Sequence, residues 1–338
     1  MQHTYQHPNT VKLESGESLY GLAICYHTWG TLNESRDNVL WICHALTANS
    51  DAASWWPGMV GPGLPFDTNQ YFVVCANIPG SCYGSTGPLS INADTGSAYF
   101  ATFPFITIRD MVTAHELLRQ HLGIEKIKVL IGGSMGGYQA LEWLLRAPQH
   151  IGRLLLLATS AAESAWGIGI HTAQRMAIEA DSTFGQDNEH AGRNGLKAAR
   201  AIGMLTYRNY SLLVQQQSDT DAEKLKDFKV SSYLYYQGEK LAQRFNAYSY
   251  YVLSRAMDSH NIARGRNATV AEILKSIRQP TLLIGISSDL LCPAEEQRML
   301  AGHLPECIYH EIFSPYGHDG FLIETEKIGC IFRNWLLK

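Results

Sequence analysis

Seven cysteines (Cys25, Cys43, Cys75, Cys82, Cys292, Cys307 and Cys330) are scattered through the 338 residues, and no two form C-x-x-C. That spacing gives neither a disulfide framework nor a zinc pattern, so the thiols read as reduced core or loop residues. No run approaches the roughly 20 apolar residues of a membrane span; the most apolar stretch is LLLLA, Leu154 to Ala158. Basic blocks are also missing. Twenty-seven Lys and Arg against 31 Asp and Glu leave a net charge of -4, which argues against a nucleic-acid footprint. The polar start, MQHTYQHPNTVKLESGESLYG, lacks the basic region and apolar stretch of a secretory signal, and sets the expectation of a cytoplasmic protein. What is present is ordinary globular composition, 46% hydrophobic and 17% charged, enough to bury a large core. The length suits about two units, or one large α/β domain with an insertion.

Short apolar runs bounded by turn residues recur at residues 38–45 (NVLWICHA), 71–77, 127–133, 153–160, 280–288 and 307–313 (CIYHEIF), and read as buried parallel strands. Helical patterns lie between them at 106–123, with Gly123 as a C-terminal stop, and at 137–149, ended by Pro148. This alternation implies a mostly parallel, doubly wound α/β sheet. The stretch VKLESGESLYGLAICYHTWG is expected to form an antiparallel pair at the sheet's edge, and QQQ at 215–217, with the polar residues after it, a loop. The alternation stops between Ala161 and Gln279 and then resumes. Residues 1–160 and 280–338 therefore read as the core, and 161–279 as an inserted helical cap.

Residues Ile131 to Ala140, IGGSMGGYQA, place one serine among four glycines between an expected strand and an expected helix. A phosphate loop needs Lys and then Ser or Thr after its last glycine, but Tyr138 and Gln139 follow Gly137. A dinucleotide fingerprint fails because its third position falls on Ser134 or Met135. Gly132-Gly133-Ser134-Met135-Gly136 does satisfy G-x-S-x-G, a strand-to-helix elbow that exposes a nucleophilic hydroxyl. A glycine-rich turn with an incidental serine is the plainer alternative.

A serine nucleophile on such an elbow needs an acid and then a histidine further along the chain. Asp289 follows the apolar run TLLIGIS, and His318 follows CIYHEIF, each just past the C-terminal end of its expected strand. His318 would take the serine proton while Asp289 orients the ring. His303, in an expected helix, His310, in an expected strand, and His44 compete less well with His318. Glu295 and Glu296 are expected to face solvent, and Asp319 adjoins the histidine it would have to orient. The oxyanion needs two backbone N–H groups, assigned to Met135 and to the HALTAN loop, where Leu46 is the preferred donor.

HALTANS, DTNQYFVVCANIPGSCYGSTGPLSIN, FPFITIRDMVTAHELLRQHLGI, IGGSMGGYQALEW, LTYR, YLYYQGEKLAQRFNAYSYYVLSRAMD and SPYGHDGFL, in this order, resemble the homoserine O-acetyltransferase family across nearly the whole chain. The resemblance implies the α/β-hydrolase fold, ping-pong transfer from acetyl-CoA to L-homoserine through acetyl-Ser134, and a role in methionine biosynthesis. It also implies that Arg200 and Tyr207 hold the homoserine carboxylate and that Asp319 pairs with its amino group. The same resemblance implies a homodimer built through the cap, while the cap's aromatic stretch from Tyr233 to Tyr251 could equally pack inside one subunit. No metal or bound prosthetic group is implied; acetyl-CoA is a substrate. Without the resemblance, Arg200 and Tyr207 would read as a salt-bridged helix surface.

The chain departs from the family where it has HALTA at Ala48, NIPGSCYG at Asn77 to Gly84 and GHDGF at Gly317 to Phe321, in place of HALTG, NVLGGCKG and GHDAF. These positions surround the acyl and substrate pocket, so a succinyl donor and a serine acceptor stay open as alternatives. Acetyl is preferred because no extra cation can be placed beside a succinyl carboxylate from sequence. From a different class, a carboxylesterase or thioesterase would share the triad and differ in having water resolve the acyl-enzyme; a non-catalytic binding protein would be expected to lack a triad member.

Overall fold

The computed structural model describes residues 1–338. Eight strands form one sheet: β1 (Gln2–Gln6), β2 (Ala23–Trp29), β3 (Val39–Cys43), β4 (Phe72–Ala76), β5 (Ile127–Gly133), β6 (Ile151–Leu157), β7 (Thr281–Ile286) and β8 (Cys307–Ile312). Their spatial order is β1-β2-β4-β3-β5-β6-β7-β8. The six strands from β4 to β8 run parallel, and β1 and β2 form an antiparallel edge.

The central strands lack polar alternation because both sheet faces are covered. Val39, Trp41 and Cys43 of β3 enter one apolar cluster with Met111 and Leu141, while Leu40 and Ile42 point the other way, against Trp56 and Phe332. Helix α1 (Ile108–His121) starts at a capping box, in which Thr107 accepts from the Asp110 amide and Asp110 accepts from the Thr107 amide. It stops where Gly123 turns at φ +62. Helix α2 (Met135–Arg146) begins directly after the serine, two residues earlier than the periodicity suggested.

Between β6 and β7 come α3 (Ala165–Glu179), α4 (Arg193–Tyr207), α5 (Tyr210–Gln217), α6 (Lys229–Ala242), α7 (Ala247–Asp258) and α8 (Val270–Ser276). Helices α9 (Ala294–His303) and α10 (Thr325–Leu336) flank the last two strands. No helix is long and apolar enough to cross a membrane.

Four expectations need correction. The antiparallel edge pair is β1 with β2; Val11–Lys12 and Ser18–Leu19 form only a separate two-stranded ladder, so the pairing partner of β2 lay upstream of the stretch considered. Strand β8 is parallel but not buried: as the last strand it has one open side, and His310 and Glu311 are exposed. The QQQ segment is the last turn of α5, begun by Asn209, whose side chain accepts from the Ser211 amide. Glu296 is half-buried, because the Ser160 hydroxyl donates to it.

Candidate active site

Sheet register assembles the site. Cys43 of β3 lies opposite Gly132 of β5, so the loop leaving β3 emerges beside the elbow leaving β5. Ile286 of β7 lies opposite Ile312 of β8, which brings together the loops bearing Asp289 and His318. Ser288 ties these loops directly: its hydroxyl donates to the Ser314 carbonyl at 2.5 Å and accepts from the Gly317 amide at 3.0 Å.

Ser134 sits at φ +55 and ψ -129, a conformation L side chains rarely adopt. The turn is held by the Ser134 amide donating to the Leu157 carbonyl, and by the Thr159 hydroxyl donating to the Ser134 carbonyl. Glycine is required at two neighbouring positions. A Cβ on Gly132 would overlap the Gly136 carbonyl, and one on Gly136 would overlap the Cys43 carbonyl.

The serine hydroxyl lies 2.8 Å from Nε2 of His318, and Nδ1 of that ring lies 2.7 Å from Oδ2 of Asp289. Oδ1 of Asp289 accepts the amides of Leu291 and Cys292 at 2.8 and 2.9 Å, which fixes the carboxylate's orientation. All three side chains are buried. Burial disfavours the charged imidazolium, but the Asp289 charge and its hydrogen bond outweigh this, so the His318 pKa is raised above the ordinary histidine value. His303 and His310 lie elsewhere, on α9 and β8.

The Leu46 and Met135 amides, one on each of the adjoining loops, donate to no group in the protein. They are therefore available to an oxyanion. A cavity of about 640 Å³ opens over Ser134 and His318, between the strand ends and helices α4, α6 and α7. Arg200, Tyr207 and Asp319 line it. Arg200 stacks on the Tyr207 ring, 5.2 Å from its centre, and its Nε is buried without a partner. This is not a salt-bridged helix surface. The Tyr207 ring stands 6.1 Å from that of His318.

Three cationic lining residues escaped the sequence reading. Arg208 pairs with Asp319 at 3.4 Å; Arg244 donates to the Thr47 carbonyl at 2.6 Å and to the Tyr83 hydroxyl; Lys240 lies over the Tyr236 ring. The sequence had placed no extra cation beside the acyl group; the fold brings three to the pocket, each of them against a protein group. Their sequence neighbourhoods carry no spacing signal, because only folding brings α4 and α6 over the sheet.

Asp289, Cys292 and His318 also bring three potential metal-ligand atoms within 4.8 Å of one another. The set does not suit a metal ion. Both Asp289 oxygens are occupied, and burial, with the nearby Asp289 charge, pushes the Cys292 thiol well above its ordinary value.

Residues 38–325 match the family model of the α/β-hydrolase fold. Homoserine O-acetyltransferase of Cyclobacterium marinum is 49% identical over 328 residues, covering 97% of this chain and 93% of that protein. The enzyme of the same name from Trichormus variabilis is 43% identical over 337 residues, covering 98% and 92%. Among solved structures, homoserine O-acetyltransferase from Bacillus anthracis superposes with a TM-score of 0.92 at 24% identity, over 100% of this chain and 98% of that one. Esterase E22 superposes with a TM-score of 0.91 at 23% identity, over 99% of both. Since a transferase and an esterase fit equally well, these two superpositions establish the fold alone.

Proposed function

The chain belongs to the homoserine O-acetyltransferase family of the α/β-hydrolase fold, and we propose that it transfers an acetyl group from acetyl-CoA to the hydroxyl of L-homoserine through an acetyl-Ser134 intermediate. The product, O-acetylhomoserine, serves methionine biosynthesis. The Ser134 hydroxyl attacks the thioester carbon as His318 takes its proton through Nε2. The carbonyl π electrons move to oxygen, which the Leu46 and Met135 amides receive, and collapse expels the CoA thiolate, protonated by His318. Homoserine then enters, His318 removes its hydroxyl proton, the new alkoxide attacks the acyl carbon, and collapse expels the Ser134 oxygen, which takes the proton back from His318. Asp289 holds the ring's tautomer and stabilises the imidazolium.

Arg200 and Tyr207 receive the homoserine carboxylate, the guanidinium offering a planar fork. Asp319 grips the ammonium and so aims the hydroxyl at the acyl carbon. The observation that carries this reading is the shared cavity: Arg200, Tyr207 and Asp319 face the same space as Ser134 and His318. A hydrolase needs no such amino-acid clamp. The protein acts in the cytoplasm as a homodimer joined through the cap, a reading supported by exposed aromatics there, Tyr210, Tyr235 and Tyr236.

The test follows thiol release from acetyl-CoA and succinyl-CoA, each with homoserine, serine or water, with products identified by mass spectrometry. Fast release with acetyl-CoA plus homoserine, yielding O-acetylhomoserine, is expected. Equal release without any amino acid would favour the esterase chemistry named for the superposing structure. Light scattering at about the mass of two chains checks the dimer.

A further inference from the structure

A primary amide buried in an apolar helix face is unfavourable unless each of its polar atoms finds a partner. Gln139, fully buried on the inner face of α2, finds three. Its Nε2 donates to the His44 carbonyl at 3.1 Å and to the Met135 carbonyl at 3.2 Å. Its Oε1 lies 2.9 Å from Nε2 of His115. An amide oxygen only accepts, so His115 carries a proton on that nitrogen. The imidazole is itself locked, stacked on Trp143 and edge-on to Trp41.

The two carbonyls belong to different segments. His44 opens the loop after β3, two residues before Leu46, and Met135 opens α2. One side chain therefore bridges the two segments that carry the unpartnered Leu46 and Met135 amides. Backbone contact at Gly136 and Cys43 sets a minimum approach of the segments, but repulsion alone does not hold them together. The far side of the loop is tied separately, through Arg244 on the Thr47 carbonyl and Trp55 on the Asn49 carbonyl.

We propose that Gln139, braced by His115, is a positioning residue that sets the separation of the Leu46 and Met135 amides around the oxyanion. It touches no substrate. It acts on the tetrahedral intermediate and not on the bound thioester or homoserine, and it deepens the acyl-serine reading on which it rests. Deleting an oxyanion donor outright costs about 10²–10³ in kcat. Loosening one is expected to cost about 10–100-fold, the scale of a misplaced catalytic group.

The test compares wild type with Gln139→Met, which keeps the volume and loses every hydrogen bond, and with Gln139→Asn, which keeps an amide one methylene short and guards against a variant that fails to fold. Four quantities are read: first-turnover CoA release, affinity for an alkylboronic acid that forms a tetrahedral adduct on Ser134, the homoserine KM, and the melting temperature. CoA release and boronate affinity should fall together by about 10–100-fold, with KM changed less than about twofold. Folded variants with wild-type boronate affinity would overturn the proposal, as would a KM that rises in step with the rate loss. A wild type that forms the boronate adduct but releases no CoA would instead overturn the acyl-transfer reading, and the comparison at Gln139 would still stand.

Discussion

Asp289 reaches His318 through one carboxylate oxygen, 2.7 Å from Nδ1, while two backbone amides hold its other oxygen. Because the carboxylate is itself held, it acts on the ring as a fixed charge. Asp289→Asn should lower the acylation rate by about 10⁴, the scale known for loss of a triad carboxylate. It should also remove the two largest influences that raise the His318 pKa, leaving burial, which lowers it, opposed only by the charges of Asp319 and Glu163. The acid limb of the rate profile should therefore move to lower pH. A profile whose inflection stays in place would show that Asp289 does not set the proton affinity of the base.

The same shift makes stability depend on pH. A histidine whose folded pKa is raised contributes stability that is fully present below its unfolded value of about 6.5 and is lost as pH rises through the folded value. The triad is thus most stable where it is least active. His318→Gln should abolish that contribution, so the wild-type advantage in melting temperature should be larger at pH 5.5 than at pH 9. An advantage that grew with pH would contradict the direction of the shift.

Ser134→Ala should abolish CoA release. Ser134→Gly should be equally inactive yet more stable than Ser134→Ala by about 1 kcal/mol, because glycine adopts φ +55 without the strain of a Cβ. Denaturant unfolding of the two variants measures the difference. Equal midpoints would mean that the elbow stores no strain at this residue.

Arg200→Ala should raise the homoserine KM at least about tenfold, the size of one lost charge-assisted hydrogen bond, while first-turnover release of CoA stays near wild type. Stopped-flow thiol detection separates the two steps. Equal loss of both would return Arg200 to a structural role beneath Tyr207.

The strands and the elbow were legible in the sequence because they rest on local rules. A strand covered on both faces must be apolar throughout, and an elbow whose backbones touch must carry glycine at Gly132 and Gly136. The order of serine, acid and histidine was legible too, since each follows the C-terminal end of a parallel strand. Edge strands were misread for the same reason: apolar content does not say which strand ends up with an open side, as at Cys307–Ile312.

Local patterns in the chain set the α/β alternation, the serine on its elbow, and the positions after two strands from which a base and its orienting acid could reach it. Folding was needed to pair Arg208 with Asp319, to fasten the Thr47 carbonyl with Arg244, and to join the segments at His44 and Met135 through Gln139. Those contacts span from 4 to 197 residues of chain. The shortest lies within α2, and joins the two loops only because the same amide also reaches the His44 carbonyl. Sequence patterns report what a segment must bury or turn; which polar groups meet is set by strand register and by how helices settle over the strand ends.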